Sequence, residues 1–445
     1  MERNITQDLS RWKDSAHRKP LILRGARQTG KTYILKEFGS RCYQNTAYFN
    51  FDENVEYKQF FESTKDVNRI LQNLMMASGQ TIRPGETLII FDEIQECPNA
   101  LNTLKYFCEN APEYHVACAG SLLGIALSKP ASFPVGKVNF LDIGPMTFSE
   151  FLPANGDQGL ADYMNSIERI EAVPDAFFNP LCEKLKMYFV TGGMPESVRS
   201  WVEDRDVELM QEVLSSILGA YERDFAKHTK PREFPKISMV WRSIPSQLAR
   251  ENKKFLYKAV KEGARAREYE DVLQWLCDAD LTQKIYRCSK PGLPISAYDD
   301  LSAFKLYMLD VGLLRRMALL APSAFGEGNR LFVEFKGALS ENYILQALKQ
   351  QFEAIPRYWS VDNPRYEVDF IMQRENDIFP VEVKSDANIT NTSLKKYKEK
   401  FEAETKLRIR FSLENLRLDG DLLNIPIFMA DHADRLIGLA LQQYS

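Results

Sequence analysis

Apolar positions along this chain fall into two patterns, and the change from one to the other divides it. In the first half the apolar residues come in short, nearly continuous runs: Leu21-Ile22-Leu23, then Thr46-Ala47-Tyr48-Phe49-Asn50-Phe51, Leu88-Ile89-Ile90-Phe91, Tyr114 to Ala119 and Lys137 to Leu141. Runs of this length without polar alternation predict strands buried on both faces. Stretches of helical spacing lie between them, such as TYILKEFG from Thr32 and ECPNALNTLKYF from Glu96. Alternating strands and helices predict a parallel sheet covered on both faces over residues 1–225.

Residues 226–325 read differently. Three helical stretches (PKISMVWRSIPSQLAR, NKKFLYKAVKEGARA, REYEDVLQWLCDAD) precede two strands, LTQKIYRC and SAFKLYMLD. Three helices and a two-stranded wing predict a winged-helix-like domain. Over residues 326–445 a helix starting near Phe335 is followed by the alternating strand Tyr366 to Met372, a turn at Arg374 to Asp377, and the returning strand Phe379 to Ser385. Period-two geometry puts Glu382 and Lys384 on one face of that strand and Val381 and Val383 on the other. The expected fold class is therefore α/β: a parallel-sheet domain, a helical winged-helix-like domain and a second α/β domain.

The first apolar run delivers the chain into Gly25-Ala26-Arg27-Gln28-Thr29-Gly30-Lys31-Thr32, which fits the P-loop pattern G-x-x-x-x-G-K-[ST]. The glycines let backbone N–H groups line a concavity for phosphate oxygens. Lys31 then reaches the β- and γ-phosphates, Thr32 binds Mg²⁺, and the helix that opens there adds its positive end. The run ending in Asp92-Glu93 supplies the second half of such a site: Asp92 for Mg²⁺ and Glu93 to orient or deprotonate the attacking water. Alone, those acids equally suit a helix N-terminus. Ser121, at the end of the next strand, suits a sensor of the γ-phosphate or a helix N-cap. The ligands expected are ATP and Mg²⁺.

The C-terminal hairpin carries a second pattern. Glu341 on the helix, Asp369 on one strand and Glu382-x-Lys384 on the other resemble the PD-(D/E)xK nuclease superfamily. That resemblance implies Mg²⁺ at Asp369 and Glu382, a water oriented or activated by Lys384, and Glu341 completing the centre from behind. An antiparallel hairpin with one wet face also alternates charge in this way.

RWKDSAHRKPLILRGARQTGKT, LIIFDEIQ, AGSLLG, FPVGKVNFLDIGPMTFSEF and VTGGMPESV, in that order along the chain, resemble the prokaryotic AAA+-type ATPases that carry a C-terminal domain of unknown function. The resemblance implies nucleotide contacts at Gly25, Gly30, Lys31 and Thr32, the roles above for Asp92 and Glu93, and a sensor at Ser121. Relatives often carry arginine where this chain has Lys137; lysine keeps the charge but lacks the planar fork. Gly192-Gly193 is expected as a turn from a strand-like MYFVT into a helix. Arg223, Arg315 and Arg316 are candidates for completing the ATP site of a neighbouring copy, should the chain form oligomers.

Composition adds one distinction. The 445 residues carry 57 basic and 61 acidic side chains, a net charge of −4 that selects no partner. Between Lys227 and Lys290, however, 15 Lys and Arg face 8 Asp and Glu, a local excess of 7. Lys253, Lys254, Lys258, Lys261 and Arg265 on the middle helix and Arg267 just after it, with Lys284 and Arg287 on the wing, are candidates for DNA phosphates; a solvated helix face explains the same lysines. The seven cysteines are odd in number and include no C-x-x-C pair, and the four histidines are scattered, so neither a disulfide framework nor a zinc site is expected. A polar N-terminus and no long apolar run lead to the expectation of a cytoplasmic protein without a membrane partner. The function expected is an ATPase whose nucleotide state governs DNA binding or cleavage. The alternative is an ATP-gated switch or scaffold that binds a protein partner through an inactive nuclease-like fold.

Overall fold

Continuous apolar runs become strands because both of their faces are covered. In β1 (Leu21–Arg24) and β3 (Thr87–Asp92), Ile22, Ile89 and Phe91 enter one apolar cluster while Leu21, Leu23, Leu88 and Ile90 enter another. Every residue of β3 is buried, so no polar position interrupts the run. With β2 (Asn45–Asn50), β4 (His115–Ala119) and β5 (Asn139–Asp142) these strands form a sheet of order β2-β3-β4-β1-β5, parallel throughout. Insertion of β4 between β1 and β3 brings the ends of three strands together, so the loop after β1, the acids of β3 and Ser121 meet on one edge.

The structure is a computed structural model that describes residues 2–121, 124, 134–251, 253–325, 333–362, 365–385 and 392–444. It divides into two compact units, one of Met1–Gly144 with Trp275–Leu281, the other of Pro145–Gln274 with Thr282–Ser445. Among the described residues no helix is long and apolar enough to cross a membrane.

The second unit is built on an eight-stranded mixed sheet. Its strands are β6 (Thr282–Cys288), β7 (Asp299–Met308), β8 (Arg357–Asp362), β9 (Arg365–Arg374), β10 (Asp377–Val383), β11 (Arg408–Ser412), β12 (Arg417–Asp419) and β13 (Leu422–Pro426), in the order β12-β13-β11-β10-β9-β8-β6-β7. The β9–β10 hairpin is antiparallel, and β10 pairs with β11 in parallel. The expected wing differs from what forms: β6 and β7 pair with each other, but β6 also pairs with β8 through Arg287 and Tyr358. The wing strands thus belong to the same sheet as the carboxylate hairpin.

Two further expectations meet a different outcome. MYFVT is the end of a helix, Asp175–Thr191. Tyr188, Phe189, Val190 and Thr191 are all buried there, and a helix end buried all round shows the same continuous apolar run as a strand. Among its described residues, the basic stretch NKKFLYKAVKEGARA forms one short α-helix, Tyr257–Val260. Phe255 N–H donates to Phe304 O of β7 at 2.8 Å, its ring stacks on Phe304 at 5.1 Å, and Gln247 exchanges two 3.0 Å hydrogen bonds with the backbone of Leu256. These contacts hold the chain extended, and Gly263 turns it at φ +75.

Gly192-Gly193 is a point of close packing. A Cβ on Gly192 would lie 2.2 Å from Asp310 Oδ1 and one on Gly193 2.1 Å from Met146 O. Asp310, fully buried, accepts from Gly193 N–H at 2.7 Å and from Leu313 N–H at 2.9 Å, capping the helix Val311–Met317. Its replacement strands two buried donors. Asp310→Ala is expected to lower the free energy of unfolding by about 2–4 kcal/mol, measured by urea titration, with Asp310→Asn retaining more of the stability.

Candidate active sites

The loop after β1 has the backbone that the P-loop pattern requires. Gly25 sits at φ +149 and Gly30 at φ +91. A Cβ on Gly25 would meet Ile143 O at 2.1 Å, so the loop is pressed against the end of β5. Thr29 ties the loop internally, its hydroxyl donating to Ala26 O at 2.9 Å. Arg3, which sequence reasoning did not single out, braces it from outside by donating to Thr29 O at 3.1 Å and Gly144 O at 2.8 Å. Gly30 caps the helix Lys31–Cys42, whose free N–H groups face the loop's concavity.

Lys31 is 7% exposed. Its ammonium donates to Gly25 O at 2.9 Å and Ala26 O at 2.7 Å. Burial lowers its pKa to about 8, against the opposing pull of Glu93 and Asp92. The Thr32 hydroxyl donates to Asp92 Oδ2 at 2.9 Å, and Tyr48 OH donates to the same oxygen at 2.7 Å. Tyr48 was also missed; the only signal was a tyrosine at the fourth position of β2. Glu93 stands at φ +49, left-handed for a residue with a side chain, and such outliers gather at active sites. Its Oε2 accepts from Ser121 Oγ at 3.0 Å, and Ser121 Oγ accepts from Arg27 Nε at 3.3 Å. The P-loop, Asp92, Glu93 and Ser121 are thus one connected network. Lys137 lies outside it, paired with Glu109 at 2.8 Å.

The second centre forms where the helix Val333–Lys349 packs on β10 and hydrogen-bonds to the end of β7 at Tyr307 and Met308. Asp369 Oδ2 accepts from Val383 N–H at 2.8 Å, and burial, helped by Glu341, pushes its carboxyl up to about 7. Glu382 pairs with Lys384 at 2.7 Å. Burial raises its carboxyl against that lysine, and its Oε2 is buried without a hydrogen-bond partner. Glu341 accepts from Tyr307 OH at 3.0 Å and pairs with Lys253. Burial works against its charge, but Lys253 and Lys305 outweigh this and hold its pKa down. Lys305, fully buried on β7, pairs with Glu367 at 2.6 Å and lies 4.0 Å from Glu341.

The four motif residues therefore share one centre, joined by Lys253, Lys305, Tyr307 and Glu367. Lys253 was expected on a phosphate-binding helix face; it sits at φ +47 with its ammonium turned inward to Glu341. Lys284 is likewise buried beside Glu270 at 3.2 Å, and Arg287 is paired with Asp300 at 2.5 Å. Lys258, Lys261, Arg265 and Arg267 are exposed and Lys254 is half-buried. Arg315 is fully buried, donating to Val190 O at 3.1 Å and Leu320 O at 2.6 Å, and Arg316 donates to Ser215 at 2.7 Å. Both are committed inside the second unit, while Arg223 is exposed.

The chemistry of the donors suits Mg²⁺ at both places. Thr32 and Asp92 offer hard oxygens beside the P-loop. Asp369 and the unpartnered oxygen of Glu382 offer the same at the second centre. Among the described residues no three His, Cys, Asp or Glu side chains are grouped to hold an ion; Mg²⁺ commonly takes only one or two protein carboxylates and keeps its waters.

Residues 17–152 match an AAA domain model, residues 182–324 a domain of unknown function (DUF8612), and residues 336–428 a domain of unknown function (DUF4143). No curated protein matches the chain. Among solved structures, a Walker-type ATPase of Pyrococcus abyssi is similar at 13% identity and TM-score 0.44, over 70% of this chain and 94% of that one. The RuvB Holliday junction branch migration motor of Thermotoga maritima is similar at 15% identity and TM-score 0.32, over 63% and 88%. PCH-2 of C. elegans is similar at 10% identity and TM-score 0.28, over 48% and 68%. The AAA domain match over residues 17–152, together with the P-loop sequence Gly25–Thr32, supports a P-loop ATPase domain in this part of the chain.

Two outcomes follow from the nucleotide site. Below pH 8 Lys31 is charged and ready for phosphate. Above it, up to the ordinary lysine range, the free protein must take up a proton on binding, so ATP affinity is expected to fall with rising pH by about tenfold per unit. Calorimetry at pH 7 to 9.5 in buffers of different ionisation heat reads both the affinity and the proton. Glu93→Gln is expected to bind ATP normally and to hydrolyse it about 10²–10⁴ times more slowly, measured by phosphate release under saturating ATP.

Proposed function

We propose that this protein is a Mg²⁺-dependent ATPase whose nucleotide state controls a phosphodiester-cleaving centre acting on DNA. The observation that carries the second half is Glu382 Oε2, an acid oxygen buried without a hydrogen bond beside Asp369. An unmet buried acceptor is costly, and a bound cation relieves that cost.

In the ATPase step, Lys31 passes from the carbonyls of Gly25 and Ala26 to the phosphates. Ser121 and Arg27 hold Glu93 against the approaching water, and Glu93 takes the water's proton as its oxygen bonds to the γ-phosphorus and the bond to the β-phosphate oxygen breaks, releasing ADP. At the second centre Lys384 orients a water toward a phosphodiester. The new P–O bond forms as the bond to one sugar oxygen breaks, and that oxygen takes up a proton. Bound Mg²⁺ supplies the positive charge that both phosphoryl centres need. Glu341 is fixed beside this centre by Tyr307 and Lys253.

One observation favours a second reading, the ATP-gated switch with a non-cleaving recognition domain and a protein partner. Lys253 and Lys305 already balance Glu341 and Glu367 from outside the motif, as in a centre kept for its shape.

Supercoiled and linear DNA are incubated with Mg²⁺ or Mn²⁺, with and without ATP, comparing the parent with Lys31→Ala and Asp369→Ala. Cutting that needs metal and is lost in Asp369→Ala is the expected result, with Lys31→Ala reporting whether ATP governs it. Intact DNA throughout, with ATP hydrolysis lost in Lys31→Ala, would overturn the nuclease and favour the switch.

A further inference from the structure

Lys253 reaches the second centre from outside its motif. It lies in the same compact unit as Glu341, 88 residues earlier in the chain, on a stretch that is neither helix nor strand. Its backbone stands at φ +47, a conformation that residues with a side chain avoid and that gathers at functional sites. Lys253 N–H closes the local turn by donating to Arg250 O at 3.2 Å, and two residues on Phe255 is fixed to Phe304 of β7. The lysine thus stands at the edge of an anchored segment. Its ammonium is aimed inward at Glu341 Oε1, with the lysine side chain 13% exposed and that of Glu341 5%.

The charges of the centre indicate what this ammonium does. Its carboxylates are Glu341, Glu367, Asp369 and Glu382, and its ammonium groups are Lys253, Lys305 and Lys384. As ionised groups they leave one negative charge in excess. A divalent cation added beside all three lysines would turn that excess positive, whereas one that takes the place of a single ammonium leaves the centre neutral. Exchange is therefore the favoured way in, since unmatched charge of either sign is costly in an interior. Lys253 is the lysine placed to leave. Lys305 is fully buried on β7 and paired with Glu367 at 2.6 Å. Lys384 directly follows β10, its N–H bonded to Phe411 O at 2.8 Å, and has the attacking water to orient. Departure of Lys253 vacates Glu341 Oε1 alone, because Oε2 keeps Tyr307 OH at 3.0 Å.

We propose that Lys253 is a displaceable counter-ion of the carboxylate centre: its ammonium holds Glu341 Oε1 while no metal is bound, and an entering Mg²⁺ or Mn²⁺ takes over that oxygen and releases the lysine. Lysine and metal occupy one carboxylate oxygen in alternation, so each weakens the other's hold on it. The centre is thereby kept matched in charge until its metal arrives. The inference rests on the reading of Asp369 and Glu382 as metal ligands.

The test is calorimetric titration of Mn²⁺, without nucleotide, into the full-length parent, Lys253→Met, Glu341→Gln, the double variant of these two, and Asp369→Ala. The uptake that Asp369→Ala removes is the uptake of this centre. Methionine keeps most of the lysine's apolar stem and removes its charge. The expected result is about tenfold tighter Mn²⁺ binding in Lys253→Met, the scale of one like-charge pair at a protein surface, and no effect of that substitution once Glu341 is replaced by glutamine. A lysine that only supports the fold would not show this dependence on Glu341. In the parent, amide exchange at Lys253 is expected to quicken when Mn²⁺ is added, a readout that needs no variant to fold. Equal or weaker binding in Lys253→Met would overturn the proposal, as would unchanged exchange at Lys253 in the parent. Asp369→Ala tells the two failures apart. If it loses Mn²⁺ uptake while Lys253→Met matches the parent, only the role of Lys253 is wrong; if it takes up Mn²⁺ as the parent does, the metal reading of the centre has failed and the proposal with it.

Discussion

An ammonium group with 7% exposure has no stable place in a protein unless something takes the role of water around it. At Lys31 that role falls to two carbonyls of the loop that precedes it. The loop can turn those carbonyls inward because Gly25 and Gly30 adopt backbone angles other residues avoid. The loop in turn stays in place because the end of β5 packs against Gly25 and Arg3 grips it from the N-terminal side. Strand order follows the same demand. With β4 between β1 and β3, Ser121 reaches Glu93 while Asp92 stays within reach of Thr32.

The second unit meets the same demand with ion pairs. Lys305 is fully buried and matched by Glu367, while Glu341 is matched by Lys253 and Tyr307. Removing any one member leaves a charge stranded in the interior, which costs far more than the pair gains. The centre is therefore a single electrostatic unit, and Asp369, with its carboxyl held near 7, is where a proton enters or leaves most readily.

Much of this was legible along the chain, and the limits have physical causes. The strands of the first sheet were visible because double burial removes polar alternation, and the P-loop because its spacing is tied to a phosphate's size. Glu341, Asp369, Glu382 and Lys384 were found because a hairpin fixes which side chains share a face. Lys253 was misplaced because the contact that turns it inward is made by residues distant in sequence: Phe304 stacks on Phe255 and Gln247 clamps Leu256, overriding a stretch rich in good helix formers. Lys305 went unnoticed inside FKLYML, where the apolar neighbours argued for core; a lone lysine in such a run was itself the signal. Arg3 left no trace, since a brace made through backbone oxygens constrains no spacing, and Tyr48 showed only as a tyrosine within an apolar strand.

The pairing of Arg287 with Tyr358 carries a consequence for how the chain is made. All five strands of the first sheet are present once residue 142 has been synthesised, so that sheet can assemble while most of the chain is still to come. The eight-stranded sheet is different. Strands β6 and β7 emerge early but have no third strand until β8 arrives, and β13 supplies the last at residue 426. During that interval a two-stranded ribbon stands with one edge open, and an isolated hairpin is marginal in water. The chain therefore has an order of assembly written into its topology, with the five-stranded parallel sheet first and the eight-stranded sheet last.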